Sequence, residues 1–206
     1  MMISRRDFAT LSVACVAVSR SAFAQDWRNS PNALVEKFAE KGITDILGAA
    51  ISQREKADRF RVLFKDFFDI PSIGRFVLAR FARTASAEEN EKFAMLFEDV
   101  IVYTWSRRFG EYKGQILKVK DNTPDGNDGA LVNSYIMDND SQSFAVAWRL
   151  RKRAAGYRVV DIIIEGVSMA ITYRQEYSTI IQQNGGIGGL LAQMQKQVDE
   201  MKAKLA

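Results

Sequence analysis

The chain has 206 residues, with 29 lysines and arginines against 25 aspartates and glutamates, a net charge of +4, no histidine and a single cysteine. The absent histidine excludes every Ser-His-Asp triad and the commonest general base and metal ligand, and one thiol excludes an internal disulfide or a thiolate metal cage. Arg5, Arg6 and Arg20 against Asp7 carry +2 of the charge, so the remainder is near +2, well short of the basic footprint of a nucleic-acid binder.

Residues 1–24 have the layout of a cleaved export signal. Ser4-Arg5-Arg6-Asp7-Phe8 is followed by an apolar run from Ala9 to Val18 and by Ala22-Phe23-Ala24 before Gln25. Paired arginines followed by x-Phe resemble the twin-arginine export motif. The run is far shorter than the roughly 20 apolar residues of a spanning helix, and cleavage after Ala24 removes Cys15. Residues 25–206 then form one domain, large enough to bury a real core.

Ser30-Pro31 is an N-cap with proline at the first helical position. Leu34, Val35 and Phe38, then Ile46, Leu47, Ala50 and Ile51, follow at helical spacing with an interruption near Gly42, so one long helix or two short ones begin the domain. From Ala57 to Phe68 a second helix sets Phe60, Leu63, Phe64 and Phe67 in one stripe. Asp69-Ile70-Pro71-Ser72 ends it and opens a third, carrying Ile73, Phe76, Val77 and Phe81. Ser86 followed by Glu89 is a capping box. Its helix runs to about Phe109, with Phe93, Leu96, Phe97, Val100, Ile101 and Thr104 on one face.

The period then changes to two. Gln115 to Lys120, Ala130 to Met137, Ser143 to Arg151 and Tyr157 to Ile164 read as four strands in meander order, separated by Asp-Gly, Asn-Asp-Ser and basic turns. In the third, Phe144, Val146, Trp148 and Leu150 share a face. Glu165-Gly166 breaks the fourth, and a helix follows that ends at Asn184-Gly185-Gly186. The glycine-rich turn 185–189 is not a phosphate loop, since no strand precedes it and no Lys-Ser/Thr follows. A last helix carries Leu190, Leu191, Met194, Val198, Met201 and Leu205 as a narrow stripe; it either docks on the body of the protein or serves as a lid or partner-facing helix.

The string Val159-x-Asp161-x-x-Ile164-Glu165-Gly166-Val167-Ser168, followed by Tyr173-Arg174, a helix and a glycine-rich turn before Leu190-Leu191, resembles the toluene-tolerance/MlaC family of periplasmic lipid-binding proteins. Phe68-Asp69-Ile70-Pro71 with Arg75 and Leu78, and Glu111-Tyr112-Lys113-Gly114, fit the same pattern, and the match covers most of the mature chain. Where family members show Arg-Thr-Tyr this chain has Tyr103-Thr104-Trp105.

The resemblance implies an α+β fold: a twisted antiparallel sheet of about four strands, NTF2-like in character, enclosed by about six or seven helices around an apolar cavity. It implies a periplasmic monomer that shuttles phospholipid between an outer-membrane lipoprotein complex and an inner-membrane ABC transporter with an MCE-domain subunit. Within the family the alternative is a hopanoid-associated carrier of a rigid polycyclic lipid; in another class it is an NTF2-like exported enzyme. No cofactor or metal is expected. The small positive charge suits weak attraction to anionic headgroups. On faces and proximity to the signature, the pocket is assigned to Phe97, Ile101, Phe144, Val146, Trp148, Val160, Ile162, Ile164, Val167, Met169 and Tyr173, with Trp105 and Arg174 at its mouth. Part of the Phe60–Phe67 stripe lines it in one reading and packs the core in the other.

Asp161 and Glu165 are the acids nearest the signature. Four residues apart on one strand they are about 13 Å distant, long for a paired acid/base site. The expectation is that Asp161 pairs with Arg158 or Arg174 and that Glu165 accepts backbone N–H bonds at the turn.

Overall fold

Six α-helices and a five-stranded sheet make up residues 26–139 and 141–204, the part of the chain that the computed structural model describes. The segment read as an export signal, with Cys15, and Leu205 of the final stripe lie outside the described residues.

Side chains cap the starts of the first five helices, though not the last, and the second begins at Gln53, four residues before the expected Ala57. Ser30 accepts the Ala33 N–H at 3.4 Å and α1 spans Pro31–Gly42. It does not stop at Gly42, because the backbone widens into a π turn over Ile43–Leu47, one continuous helix with a change of pitch. Ser52 caps α2, Gln53–Phe67. Asp69 caps α3, Ile70–Leu78, by accepting the Ser72 N–H at 3.2 Å, and also holds Arg153 at 2.8 Å. Burial works to raise the Asp69 pKa, but the bonds from Ser72 and Arg153 bring it below the ordinary carboxylate value. Ser86 and Glu89 form the full capping box of α4, Ala87–Ser106, after which a tight 3-10 turn, Arg107–Glu111, replaces the last α-turn expected up to Phe109.

The strands are β1 (Ile116–Pro124), β2 (Gly129–Asp138), β3 (Ser141–Arg153), β4 (Gly156–Ile164) and a two-residue β5 (Val167–Ser168), antiparallel in sequential order. Three register shifts leave Lys120, Ser143 and Val160 as extra residues against their neighbours. Each such bulge bends its strand and adds twist, so the meander curls. Leu117, Ile136, Phe144, Val146, Trp148 and Ile162 share the face turned to the helices. The other face carries Arg151 and Arg149, which Asp125 takes at 2.7 Å and 3.0 Å. Those hydrogen bonds, Arg151 foremost, lower the Asp125 pKa.

The break after β4 is a two-residue hairpin with φ +48° at Glu165 and +80° at Gly166, the positive pair that primed turns require. Glu165 holds this unfavourable conformation by pairing twice with Ala145: its N–H donates to the Ala145 carbonyl at 3.0 Å, and its carboxylate accepts the Ala145 N–H. α5 (Met169–Gln183) follows, then a glycine turn and α6 (Ile187–Ala203), whose buried Leu190, Leu191, Met194, Val198 and Met201 dock on α4 and α5. Phe76, expected on a buried stripe of α3, is 42% exposed, because neighbouring helices cover only the side of α3 that carries Ile73 and Val77.

Helices and sheet are tied at one end. Phe68 bridges to Val159, the Asp69 N–H donates to the Val159 carbonyl at 2.9 Å, and Arg158 donates to the Lys65 and Asp66 carbonyls at the end of α2. Here the core is solid: Leu34, Val35, Phe67, Val132, Leu150 and Val159 have no exposed surface. Each such side chain stabilises the fold by roughly 1.5–3 kcal/mol.

The glycine turn gives a test. A Cβ at Gly189 would lie 1.6 Å from the Asn184 carbonyl oxygen, whereas one at Gly188 meets nothing within 4 Å. In urea unfolding, Gly188→Ala raises stability by about 0.5–1 kcal/mol through helix propensity, and Gly189→Ala lowers it by several times that.

Candidate functional site

At the other end of the sheet the helices stand away from the strands. Between them lies a cavity of about 300 Å³, at the small end of ligand pockets in general. Its sheet wall is Leu117, Ile136, Phe144, Val146, Trp148, Ile162 and Ile164. Its roof is the end of α1 and the π turn, through Phe38, Gly42, Ile43, Ile46 and Leu47, together with Phe60, Leu63 and Phe64 of α2. The wide π turn presents an extra residue inward, as such turns often do beside sites. Phe68 closes the deep end. Ile101 and Trp105 of α4, Phe109 of the 3-10 turn, Tyr112 and Gln115 line the other, where Phe144 is 38% exposed and forms the lip of the mouth.

No lysine, arginine, aspartate or glutamate lines this space. Its polar groups are the Tyr112 hydroxyl and the Gln115 amide near the mouth, and the indole N–H of Trp105. The Trp148 N–H is used internally. It donates to the Ser134 hydroxyl at 3.0 Å, and Ser134 donates to the Val146 carbonyl at 2.7 Å. Ser134 is 4% exposed, so this relay satisfies a buried hydroxyl and fixes the indole plane, whose face meets Phe38 edge-on at 5.3 Å.

Seven of the residues assigned to the pocket from sequence line it: Ile101, Trp105, Phe144, Val146, Trp148, Ile162 and Ile164. Six do not. Val160 is the bulge residue of β4, so strict alternation from Ile162 fails there. Phe97 lies one turn before Ile101 on α4 and packs against Phe93, Tyr173 and Tyr177 instead. Tyr173 and Met169 belong to α5, no residue of which lines the cavity, and Val167 is 53% exposed beside the hairpin. Arg174 lies over the Phe76 ring at 5.0 Å, outside the cavity. The α1 end and the π turn were missed as lining. Only the near-continuous apolar spacing around Gly42 hinted at them.

Neither acid of the signature faces the cavity. The Asp161 carboxylate is buried; one oxygen accepts the Ala170 N–H at 3.0 Å, and the other accepts the Ser168 hydroxyl at 2.6 Å and Arg149 at 3.3 Å. The partners expected for it, Arg158 and Arg174, are elsewhere. Asp161 thus supports the start of α5, where Ser168 caps the helix through the Ile171 N–H. Among the described residues no group of three or more His, Cys, Asp or Glu could hold a metal, and no helix is long and apolar enough to cross a membrane. Tyr177 carries the one buried side-chain N or O atom without a hydrogen-bond partner there; burial, then Tyr173 and Glu176, push its pKa up.

Fold and cavity together define an α+β protein with an apolar chamber between a curled sheet and its helical roof. Residues 36–196 match the family described as MlaC protein, and the chain belongs to that family. It is 24% identical over 202 residues to the intermembrane phospholipid transport system binding protein MlaC of Haemophilus influenzae, covering 93% of this chain and 91% of the relative. Over 118 residues it is 20% identical to toluene tolerance protein ttg2D of Pseudomonas putida, covering 57% and 55%. The fold matches that of a phospholipid-binding protein from Ralstonia solanacearum, solved in complex with a phospholipid, with a TM-score of 0.74 at 19% identity, covering 83% of this chain and 98% of the other.

The Ser134 relay predicts a non-additive pair. Ser134→Ala leaves the Trp148 N–H unpaired and lowers stability by about 1–3 kcal/mol. Trp148→Phe in that background costs less than it does in the parent protein, as a double-mutant cycle by urea unfolding would report. Asp161→Asn keeps an acceptor for Ala170 but loses the charge that Arg149 meets; it lowers the unfolding midpoint in urea.

Proposed function

We infer that this protein is a lipid carrier: it lifts a phospholipid out of one membrane, shields the acyl chains in the cavity and surrenders them to another. The observation that carries the reading is a chamber walled by aromatic and aliphatic side chains and free of charged groups, with Tyr112 and Gln115 as polar groups in its lining. A buried methylene is worth roughly 0.8 kcal/mol, so the stretch of about ten methylenes that a cavity of this size shields carries on the order of 8 kcal/mol of transfer free energy. A carrier has to match nearly all of that, and a wet or charged chamber would not.

The related transport-system protein and the phospholipid-bound neighbour support phospholipid as the cargo. In this reading residues 1–24 are an export signal and residues 25–206 work in the periplasm as a soluble component of an Mla-type ABC transport system. The partners are an inner-membrane complex with an MCE-domain subunit and an outer-membrane lipoprotein complex. Chemistry plays no part, since the two acids of the signature are occupied in holding the fold.

Native mass spectrometry of protein purified from a cell envelope is expected to show one co-purified phospholipid; a hopanoid mass would change the cargo. Ile162→Glu puts a carboxylate in the wall and abolishes lipid pick-up from donor vesicles while circular dichroism stays unchanged. Val62→Glu, at a position 71% exposed on α2, leaves pick-up intact. Full loading of the Ile162→Glu protein would overturn the assignment of this cavity.

A further inference from the structure

A second concavity, of about 700 Å³, lies between α5 and the α3 end of the molecule, with none of its lining shared with the first. Ile171, Arg174, Gln175, Ser178, Thr179 and Gln182 form one stripe of α5 along one side. Phe76, Ala79, Arg80 and Phe81 form the other. Ala79 ends α3 with φ +53°, the sharp corner from which the 3-10 turn Ala79–Arg83 leaves.

Three features set this face apart. First, its charge has one sign. Arg80 and Arg174 line the groove, and Arg83 eclipses Arg80 one turn on. No acidic residue lines it, and among the described residues none of these arginines has a carboxylate within 4.0 Å. Second, the arginines are laid over aromatic rings, Arg174 on Phe76 at 5.0 Å and Arg80 on Phe81 at 5.0 Å. Third, exposed apolar side chains stand at the groove and again beside the lip of the cavity. Phe76 (42% exposed) and Ile171 (45%) flank the groove, and Val167 (53%) lies in β5, just before the start of the helix that carries Ile171. Val167 is paired with cavity-lining Ile164, so the two side chains stand on the same sheet face. Phe144 (38%) lies across the hairpin at the lip.

We propose that this face docks the protein on an anionic bilayer, with phosphate headgroups entering the groove between Arg80 and Arg174 and the cavity's mouth turned to the membrane. The inference rests on the carrier reading for its purpose, since a carrier must meet a lipid surface to load. Arginine charge beside protruding aromatic and aliphatic side chains is the composition of an interfacial contact. A protein partner with an acidic segment fits less well, because apolar side chains are exposed both at the groove and at the lip.

The test is sedimentation with phosphatidylcholine vesicles, with and without a share of phosphatidylglycerol. The protein is expected to sediment with the anionic vesicles only, and less so as salt is raised. Arg80→Gln and Arg174→Gln each weaken binding by about fivefold, and Phe76→Ser weakens it further, while Val62→Glu, exposed on α2 away from the groove, binds as the parent does. Equal binding to both vesicle types, or arginine variants that bind as well as the parent, would overturn the proposal. So would variants that bind vesicles normally and lose only contact with a membrane protein. If the parent carries no lipid yet binds anionic vesicles through these arginines, the carrier reading falls and the docking face stands; if it carries lipid and ignores anionic vesicles, the docking face alone falls.

Discussion

An apolar sheet face must be covered, and in this protein it is covered without being filled. The curl introduced at Lys120, Ser143 and Val160 makes the helix-facing side of the sheet concave. A straight helix laid across a concave face touches it at one end and spans it at the other. Contact is made where Phe68 and Asp69 join Val159 and where Leu34, Val35 and Phe67 sink against Val132 and Leu150. The gap falls over Phe144, Val146, Ile162 and Ile164.

That division assigns stability and binding to different halves of one layer. The solid end, with its fully buried side chains and its ties from Arg158 and Arg153, holds the helices in place. The hollow end can then keep its apolar walls apart, although dispersion forces favour close packing. The polar groups behind the sheet wall make no demand on a ligand: Ser134 and Trp148 satisfy each other, and Asp161 is occupied beneath α5.

Much of this was legible in the residues. Ser30, Asp69 and the Ser86–Glu89 box mark helix starts by a local mechanism, a side chain capping a free N–H, so no distant partner is needed to read them. The alternation through Phe144, Val146 and Trp148 likewise names a face. What sequence could not supply was the level at which an apolar residue sits along its helix or strand. Phe97 and Ile101 share a face of α4, yet one packs against Tyr173 and Tyr177 while the other reaches the cavity. The bulge at Val160 has no signature of its own, and a strand read as strictly alternating puts that residue in the wrong place. Glu165-Gly166 reads as a break; that it is a hairpin adding a fifth strand depends on Ala145, twenty positions earlier, meeting Glu165 twice.

The central claim, that the chamber takes acyl chains, can be tested through the three tryptophans. Trp105 and Trp148 line the cavity, whereas Trp27 stacks on Phe67 at the solid end at 4.9 Å. Proteins retaining a single tryptophan would be loaded with a phosphatidylethanolamine brominated on its acyl chains, and their fluorescence compared with that of protein loaded with the unbrominated lipid. The account predicts strong quenching of Trp148 and Trp105 and little of Trp27; quenching of Trp27 alone, or of none while lipid is bound, would contradict it.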